Sequence, residues 1–131
     1  MISLNLMKIL IVDDSARMRN MIKSMIRLKQ KPEDTLEFFE CSDGTDAITE
    51  YEKIHPDWLL MDIAMKNMNG LDASAIIKKR FPEAKIIIIT NYDDAQFRRR
   101  TMQYGIVHYV LKENLNQIQE IINEPNLKRT F

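Results

Sequence analysis

Five short apolar runs, each followed by a helix-patterned stretch, leave this chain of 131 residues very few folds to choose from. The most informative run is Trp58-Leu-Leu-Met-Asp62, in which four residues that favour burial lead straight into a carboxylate. After Asp62 the chain turns polar through Lys66-Asn-Met-Asn-Gly70. A short apolar run bounded by turn signals reads as a strand buried on both faces, as in a parallel sheet. Asp62 then stands at the carboxyl end of its strand, the edge at which open α/β sheets bind ligands.

The other runs repeat this design. Residues 7–12 lead into Asp13-Asp14, residues 36–41 end at the turn Ser42-Asp43-Gly44, and residues 85–90 end on Thr90. Residues 106–112 close the series at Lys112. Between the runs, apolar residues recur at three- and four-residue spacing, the mark of a one-sided helix. The first such stripe is Met18, Met21, Ile22, Met25 and Ile26 behind a Ser15 N-cap; the second is Ala47, Ile48, Tyr51 and Ile54, closed by Pro56. A third runs through Ala73, Ile76, Ile77 and Phe81 to Pro82, a fourth from Asp93-Asp94 to Gly105, and a fifth through Leu115, Ile118, Ile121 and Ile122. Five strands alternating with five helices, joined by right-handed crossovers, give a doubly wound α/β sandwich around a parallel sheet. One domain is expected over 1–131, with its core at 7–123 and a tail at 124–131.

Composition narrows the function. Lys plus Arg and Asp plus Glu each number 19, so zero net charge gives no general pull toward nucleic acid or a membrane surface. No apolar run approaches the roughly 18 residues of a membrane span. The single cysteine, Cys41, excludes an internal disulfide and fits a reducing cytoplasm.

Parallel strands bring their carboxyl ends to one edge, so Asp13, Asp14, Asp62, Thr90 and Lys112 should meet there. Crowded carboxylates repel, and a hard divalent cation relieves that repulsion. Mg²⁺ suits an oxygen donor set and keeps several waters, with Mn²⁺ as a substitute. Apart from His108, no histidine or cysteine is expected near these strand ends, which argues against a zinc site. Lys112 adds a movable positive charge and Thr90 a hydroxyl. Together these groups suit an in-line phosphoryl transfer onto a carboxylate.

At these residues the chain resembles the receiver domain of bacterial two-component response regulators, from about residue 7 to residue 123. The resemblance is carried by Val12-Asp13-Asp14-Ser15, Pro56-Asp57 leading to Leu60-Met61-Asp62, Met65 with Gly70 after it, Ile89-Thr90, and Tyr109-x-x-Lys112. It implies a flavodoxin-like strand order 2-1-3-4-5 and phosphorylation of Asp62 by a histidine kinase or phosphotransfer protein. It further implies Mg²⁺ on Asp14, Asp62 and the Ala64 carbonyl, with Asp13 acting through water. Lys112 would contact the phosphoryl group, and Thr90 and Tyr109 would switch together, altering the surface of the fourth helix, fifth strand and fifth helix. On that surface Arg98, Arg99 and Arg100 read as a solvated row that would serve as a partner face for a downstream protein or a second copy.

Three positions depart from the family's usual pattern. Lys66 replaces a proline after the Asp62 loop, which should loosen that loop. Glu113 replaces a proline after Lys112, leaving open whether the 112–113 peptide is cis. Asn91 is larger than usual and should narrow access to the site. Ala64 offers no group to orient water and Tyr92 should lie over the site, so self-hydrolysis of an acyl phosphate should be slow. Cys41, the methionine stripes, His55 and His108 read as core or surface residues without chemistry.

Two other functions compete. A flavodoxin-like phosphatase or electron carrier needs a hydroxyl-rich phosphate loop after the first strand, where this chain has two acids. A degenerate receiver acting only by contact would lack some of the five key residues, all of which are present. The protein should therefore be a signalling switch and not a turnover enzyme. No helix-turn-helix follows the last helix, so a chain that is complete would act through protein contacts.

Overall fold

The computed structural model describes residues 5–65 and 69–123. Its order is β1 (Asn5–Val12), α1 (Ala16–Arg27), β2 (Asp34–Cys41), α2 (Gly44–Ile54), β3 (Trp58–Asp62), α3 (Gly70–Arg80), β4 (Ile86–Thr90), α4 (Ala95–Gln103), β5 (His108–Leu111) and α5 (Asn116–Asn123). All strand pairs are parallel and the sheet order is β2-β1-β3-β4-β5, as the resemblance implied.

The alternation of side chains along each strand explains the two-layered core. Leu10, Val12, Leu59, Met61, Ile86 and Ile88 face one side and pack with Ala47 and Tyr51 of α2 and Leu71, Ala73 and Ile77 of α3. Ile9, Ile11, Leu60, Ile87 and Ile89 face the other and pack with Ile22 and Ile26 of α1 and Ile118 and Ile122 of α5. Every residue of β3 and β4 is buried, so these strands carry no polar alternation. The attachment of α4 is lighter, since Thr101 is its only buried residue.

The helix starts follow from their caps. Ser15, Asp43, Asn69 and Asp94 each accept a hydrogen bond from an amide of the first turn that follows. His55 ends α2 with φ of 48° and donates its amide to the Tyr51 carbonyl, just before Pro56.

Several boundaries differ from expectation. β1 and β2 each begin two residues earlier than the sequence suggested, at Asn5 and Asp34, because they pair with each other over their full length. β5 is shorter: it spans four residues, and Lys112–Asn114 form a 3-10 turn in which Lys112 is the first residue. The 112–113 peptide is trans, in keeping with the roughly 3–4 kcal/mol penalty of a cis bond without proline. Not every methionine is core filler, since Met21 and Met102 are exposed. Lys66 and the residues from 124 onward lie outside the described residues.

Gly70 opens α3 at a point of close approach. A Cβ there would lie 1.8 Å from the Asp62 carbonyl oxygen and 2.8 Å from Met61 Cγ. Gly105 is required for a different reason, its φ of +80°, and has ordinary space around it. Gly70→Ala should therefore cost about 3 kcal/mol or more through overpacking, and Gly105→Ala about 1–2 kcal/mol through strain. Urea unfolding of the two variants checks this; Gly105→Ala being the more damaging would contradict it.

Candidate functional site

β1, β3 and β4 end on one edge, and the register sets their side chains side by side. Val12 is level with Met61 and Asp62 with Ile89, while Thr90 is level with Leu111. Asp13, one residue past β1, therefore adjoins Asp62, and Lys112, one residue past β5, reaches across toward both.

The distances make this a single cluster. Lys112 Nζ lies 3.0 Å from Asp13 Oδ2 and 3.4 Å from Asp62 Oδ1. Asp13, Asp14 and Asp62 each offer a carboxylate oxygen, all within 4.8 Å of one another. Asp13 and Asp62 are buried and Asp14 is exposed, so the cluster opens to solvent on one side. Asp13 Oδ1 accepts from the Ser15 amide at 2.8 Å, whereas Oδ2 has the Lys112 ion pair but no aligned hydrogen bond.

The electrostatics follow from burial. Desolvation and the neighbouring Asp13 carboxylate push the Asp62 carboxyl up to about 6, against the pull of Lys112 and of a hydrogen bond from the Ala64 amide. Burial alone would lower the pKa of Lys112. The Asp13 and Asp62 carboxylates outweigh that and hold it above the ordinary lysine range. One ammonium thus serves two buried carboxylates, with a third acid beside them. That is a donor set of hard oxygens with more negative charge than the protein itself neutralises, and it fits a divalent cation such as Mg²⁺.

Around this centre the remaining expected residues separate. Thr90 is buried and its Oγ1 accepts from the Tyr92 amide at 3.1 Å. Tyr109 donates its hydroxyl to the Tyr92 carbonyl at 2.5 Å, so the Tyr92 backbone is held at its amide by Thr90 and at its carbonyl by Tyr109. The Tyr92 ring is half exposed and packs against Phe97. Asn91 is exposed. Arg98 does not extend freely from α4: its guanidinium sits 4.4 Å above the Tyr109 ring and pairs with Asp93 at 2.9 Å. Arg100 pairs with Asp72 of α3 at 3.3 Å, and Arg99 is exposed. The expected row of three solvated arginines is thus two anchored side chains and one exposed one.

Two expectations about soft ligands are corrected. His108 begins β5, at the far edge from the acids, and its half-buried ring lies 5.7 Å from Trp58. Cys41 ends β2 at the acidic edge, and its carbonyl accepts from the Asp13 amide at 3.1 Å. Its thiol, however, is buried in the core and pushed up to about 12 by desolvation, which leaves it without ligand character.

Sequence reasoning missed Arg19. Its Nη1 donates to the Asp13 carbonyl at 2.5 Å and its Nε to Glu40 at 2.8 Å, while Lys23 holds the other Glu40 oxygen at 2.9 Å. Only the i,i+4 spacing of Arg19 and Lys23 hinted that both face one partner.

A parallel sheet in this order, with acids at the carboxyl ends of its first and third strands, a buried threonine ending its fourth and a lysine after its fifth, is the arrangement expected of a receiver domain. The chain belongs to the response regulator receiver domain family, which it matches over residues 9–123. It is 34% identical over 105 residues to the response regulator protein VraR of Staphylococcus epidermidis, covering 80% of this chain and 49% of that protein. It is 38% identical over 107 residues to the protein-glutamate methylesterase/protein-glutamine glutaminase of Pyrococcus horikoshii, covering 80% of this chain and 28% of that enzyme. This chain thus spans half or less of the length of these two relatives. Among solved structures, the response regulator TrrA of Thermotoga maritima, in complex with Mg(2+)-BeF, is 25% identical with a TM-score of 0.77, covering 90% of this chain and 97% of that one. Among the described residues no helix is long and apolar enough to cross a membrane.

Because Asp62 binds its proton more tightly when folded than when unfolded, its contribution to stability falls as pH rises from about 4 to about 6 and stays lost above that. In metal-free protein, Asp62→Asn should therefore be more stable than the parent at pH 7 by on the order of 1–3 kcal/mol. The gap should shrink toward pH 4. Urea unfolding with a chelator at both pH values checks this; a destabilised Asp62→Asn at pH 7 would contradict it.

Proposed function

We propose that this domain is a phosphorylation-controlled switch in which Asp62 accepts a phosphoryl group from a histidine kinase or phosphotransfer protein. The observation that carries the reading is the convergence of Asp13, Asp14, Asp62 and Lys112 at one sheet edge, with Asp62 the buried carboxylate that ends the central strand.

The chemistry follows from the groups present. Asp62 attacks phosphorus with a carboxylate oxygen as the phosphorus–nitrogen bond of the donor histidine breaks, leaving a mixed anhydride on Asp62 and a free imidazole. Asp14, Asp62 and the Ala64 carbonyl would hold Mg²⁺, with Asp13 acting through water, and the bound ion would neutralise charge on the phosphoryl oxygens. Lys112 moves with little rearrangement from the carboxylates to a phosphoryl oxygen, since its Nζ already lies 3.4 Å from Asp62. Divalent binding needs Asp62 ionised, so affinity should weaken as pH falls through about 6.

The output is a change of surface. Thr90 is bound to the Tyr92 amide and Tyr109 to the Tyr92 carbonyl, so a Thr90 hydroxyl drawn to a phosphoryl oxygen would release the first of these two ties on the Tyr92 backbone. Tyr109 and the Arg98 stacked on it would then rearrange, and the lightly anchored α4 would follow. The face of α4, β5 and α5, including Arg98, Arg99 and Arg100, is the region we assign to a downstream partner or a second copy, in the cytoplasm. The likeness to a response regulator protein and to a methylesterase supports a regulatory role and leaves an enzymatic output open to a longer chain.

Incubation with Mg²⁺ and acetyl phosphate should add the mass of one phosphoryl group to the intact protein, and Asp62→Asn should abolish the gain. An unmoved mass in the unaltered protein would contradict the proposal. The Ala64 side chain has no amide or acid group to orient an attacking water, so Ala64→Asn should lose the phosphoryl group faster than the unaltered protein. Equal lifetimes would remove Ala64 from that role.

A further inference from the structure

Asp13 is held at more points than a loop residue needs. Its amide donates to the Cys41 carbonyl at 3.1 Å, its carbonyl accepts from Arg19 Nη1 at 2.5 Å, and its Oδ1 accepts from the Ser15 amide at 2.8 Å. Only Oδ2 is left to face Lys112. Arg19 is itself braced. Its Nε is bound to Glu40 on β2, one residue before the Cys41 that holds the Asp13 amide, and Lys23 occupies the second Glu40 oxygen. Hydrogen bonds from Lys23 and Arg19 hold the Glu40 carboxyl below the usual carboxylate range.

We propose that Arg19 is a positioning residue for the divalent-cation site. Its guanidinium fork ties the Asp13 peptide to Glu40 and so fixes the direction in which the Asp13 carboxylate points. The inference rests on reading the acidic cluster as that site. Three carboxylates with oxygens within 4.8 Å push one another apart, and the connection from β1 to α1 carries two exposed residues, Asp14 and Ser15, with little packing to resist. Hydrogen bonds must supply the restraint. A planar guanidinium satisfies a carbonyl and a carboxylate at once in a fixed geometry, which a lysine's point charge does not. Groups that orient metal ligands without touching the metal commonly change affinity tenfold or more when removed.

The test is a calorimetric Mg²⁺ titration of the 131-residue chain and its variants, with the Ser15 amide resonance followed in metal-free protein. Arg19→Ala should weaken Mg²⁺ binding about tenfold and move the Ser15 resonance, since that amide reports the Asp13 carboxylate directly. Arg19→Lys should recover only part of the loss. Lys23→Ala removes the other Glu40 partner without touching Asp13, and should bind Mg²⁺ as the unaltered protein does. Unchanged affinity with an unmoved Ser15 amide in Arg19→Ala overturns the assignment. Should that variant fail to fold, Arg19→Lys carries the test, and full affinity in it overturns the assignment equally. An unaltered protein that binds no Mg²⁺ overturns the cation-site reading itself, an outcome distinct from the others because in them the parent binds.

Discussion

Two buried carboxylates sharing one ammonium group govern the economy of this domain. Asp13 and Asp62 come from strands whose other residues are almost wholly apolar, and they lie where desolvation penalises charge. Lys112 compensates part of that cost from a third segment. The pair of contacts at 3.0 and 3.4 Å shows how closely the ammonium is divided between the acids. What remains is a carboxylate poised near neutrality and a surplus of negative charge facing solvent through Asp14. A surplus of negative charge held in this way at a sheet edge favours a bound cation.

The sheet makes the arrangement cheap to build. Parallel strands send all their carboxyl ends to one edge, so residues distant in the chain need only occupy strand ends to become neighbours. The cores on the two faces hold those ends rigidly, because every residue of β3 and β4 is buried between helices. Gly70 adds a close constraint: α3 begins so near the Asp62 carbonyl that only a hydrogen fits. Against this rigid half stands α4, with one buried residue, and before it the Tyr92 backbone, bound at its amide by Thr90 and at its carbonyl by Tyr109. A firmly packed acidic edge and a lightly attached α4 are therefore segregated onto different elements.

Most of the architecture was legible in the sequence for a simple reason. Buried parallel strands need unbroken apolar runs, and amphipathic helices need a three- to four-residue stripe, so both leave local periodic marks. Trp58–Asp62 and Ile86–Thr90 carried the strongest. The acids and the lysine were legible because strand ends are where ligand-binding groups collect. What escaped was set by packing between segments. That β1 and β2 start early follows from their mutual pairing, and Lys112 lies in a 3-10 turn and not in β5 because the chain turns into α5 there. Arg98 and Arg100 looked like a solvated row, yet each finds a partner on another element: the Tyr109 ring for one and Asp72 for the other. Arg19 bonds across to β2, which no periodicity encodes.

In a crystal structure grown with Mg²⁺ and beryllium fluoride, the fluoride complex stands in for a phosphoryl group. Beryllium should be bonded to the Asp62 carboxylate, with a cation beside Asp13 and Asp14 and Lys112 Nζ on a fluorine. Beryllium fluoride bound elsewhere, or a cation away from these three acids, would contradict the assignment of Asp62 and its cation site.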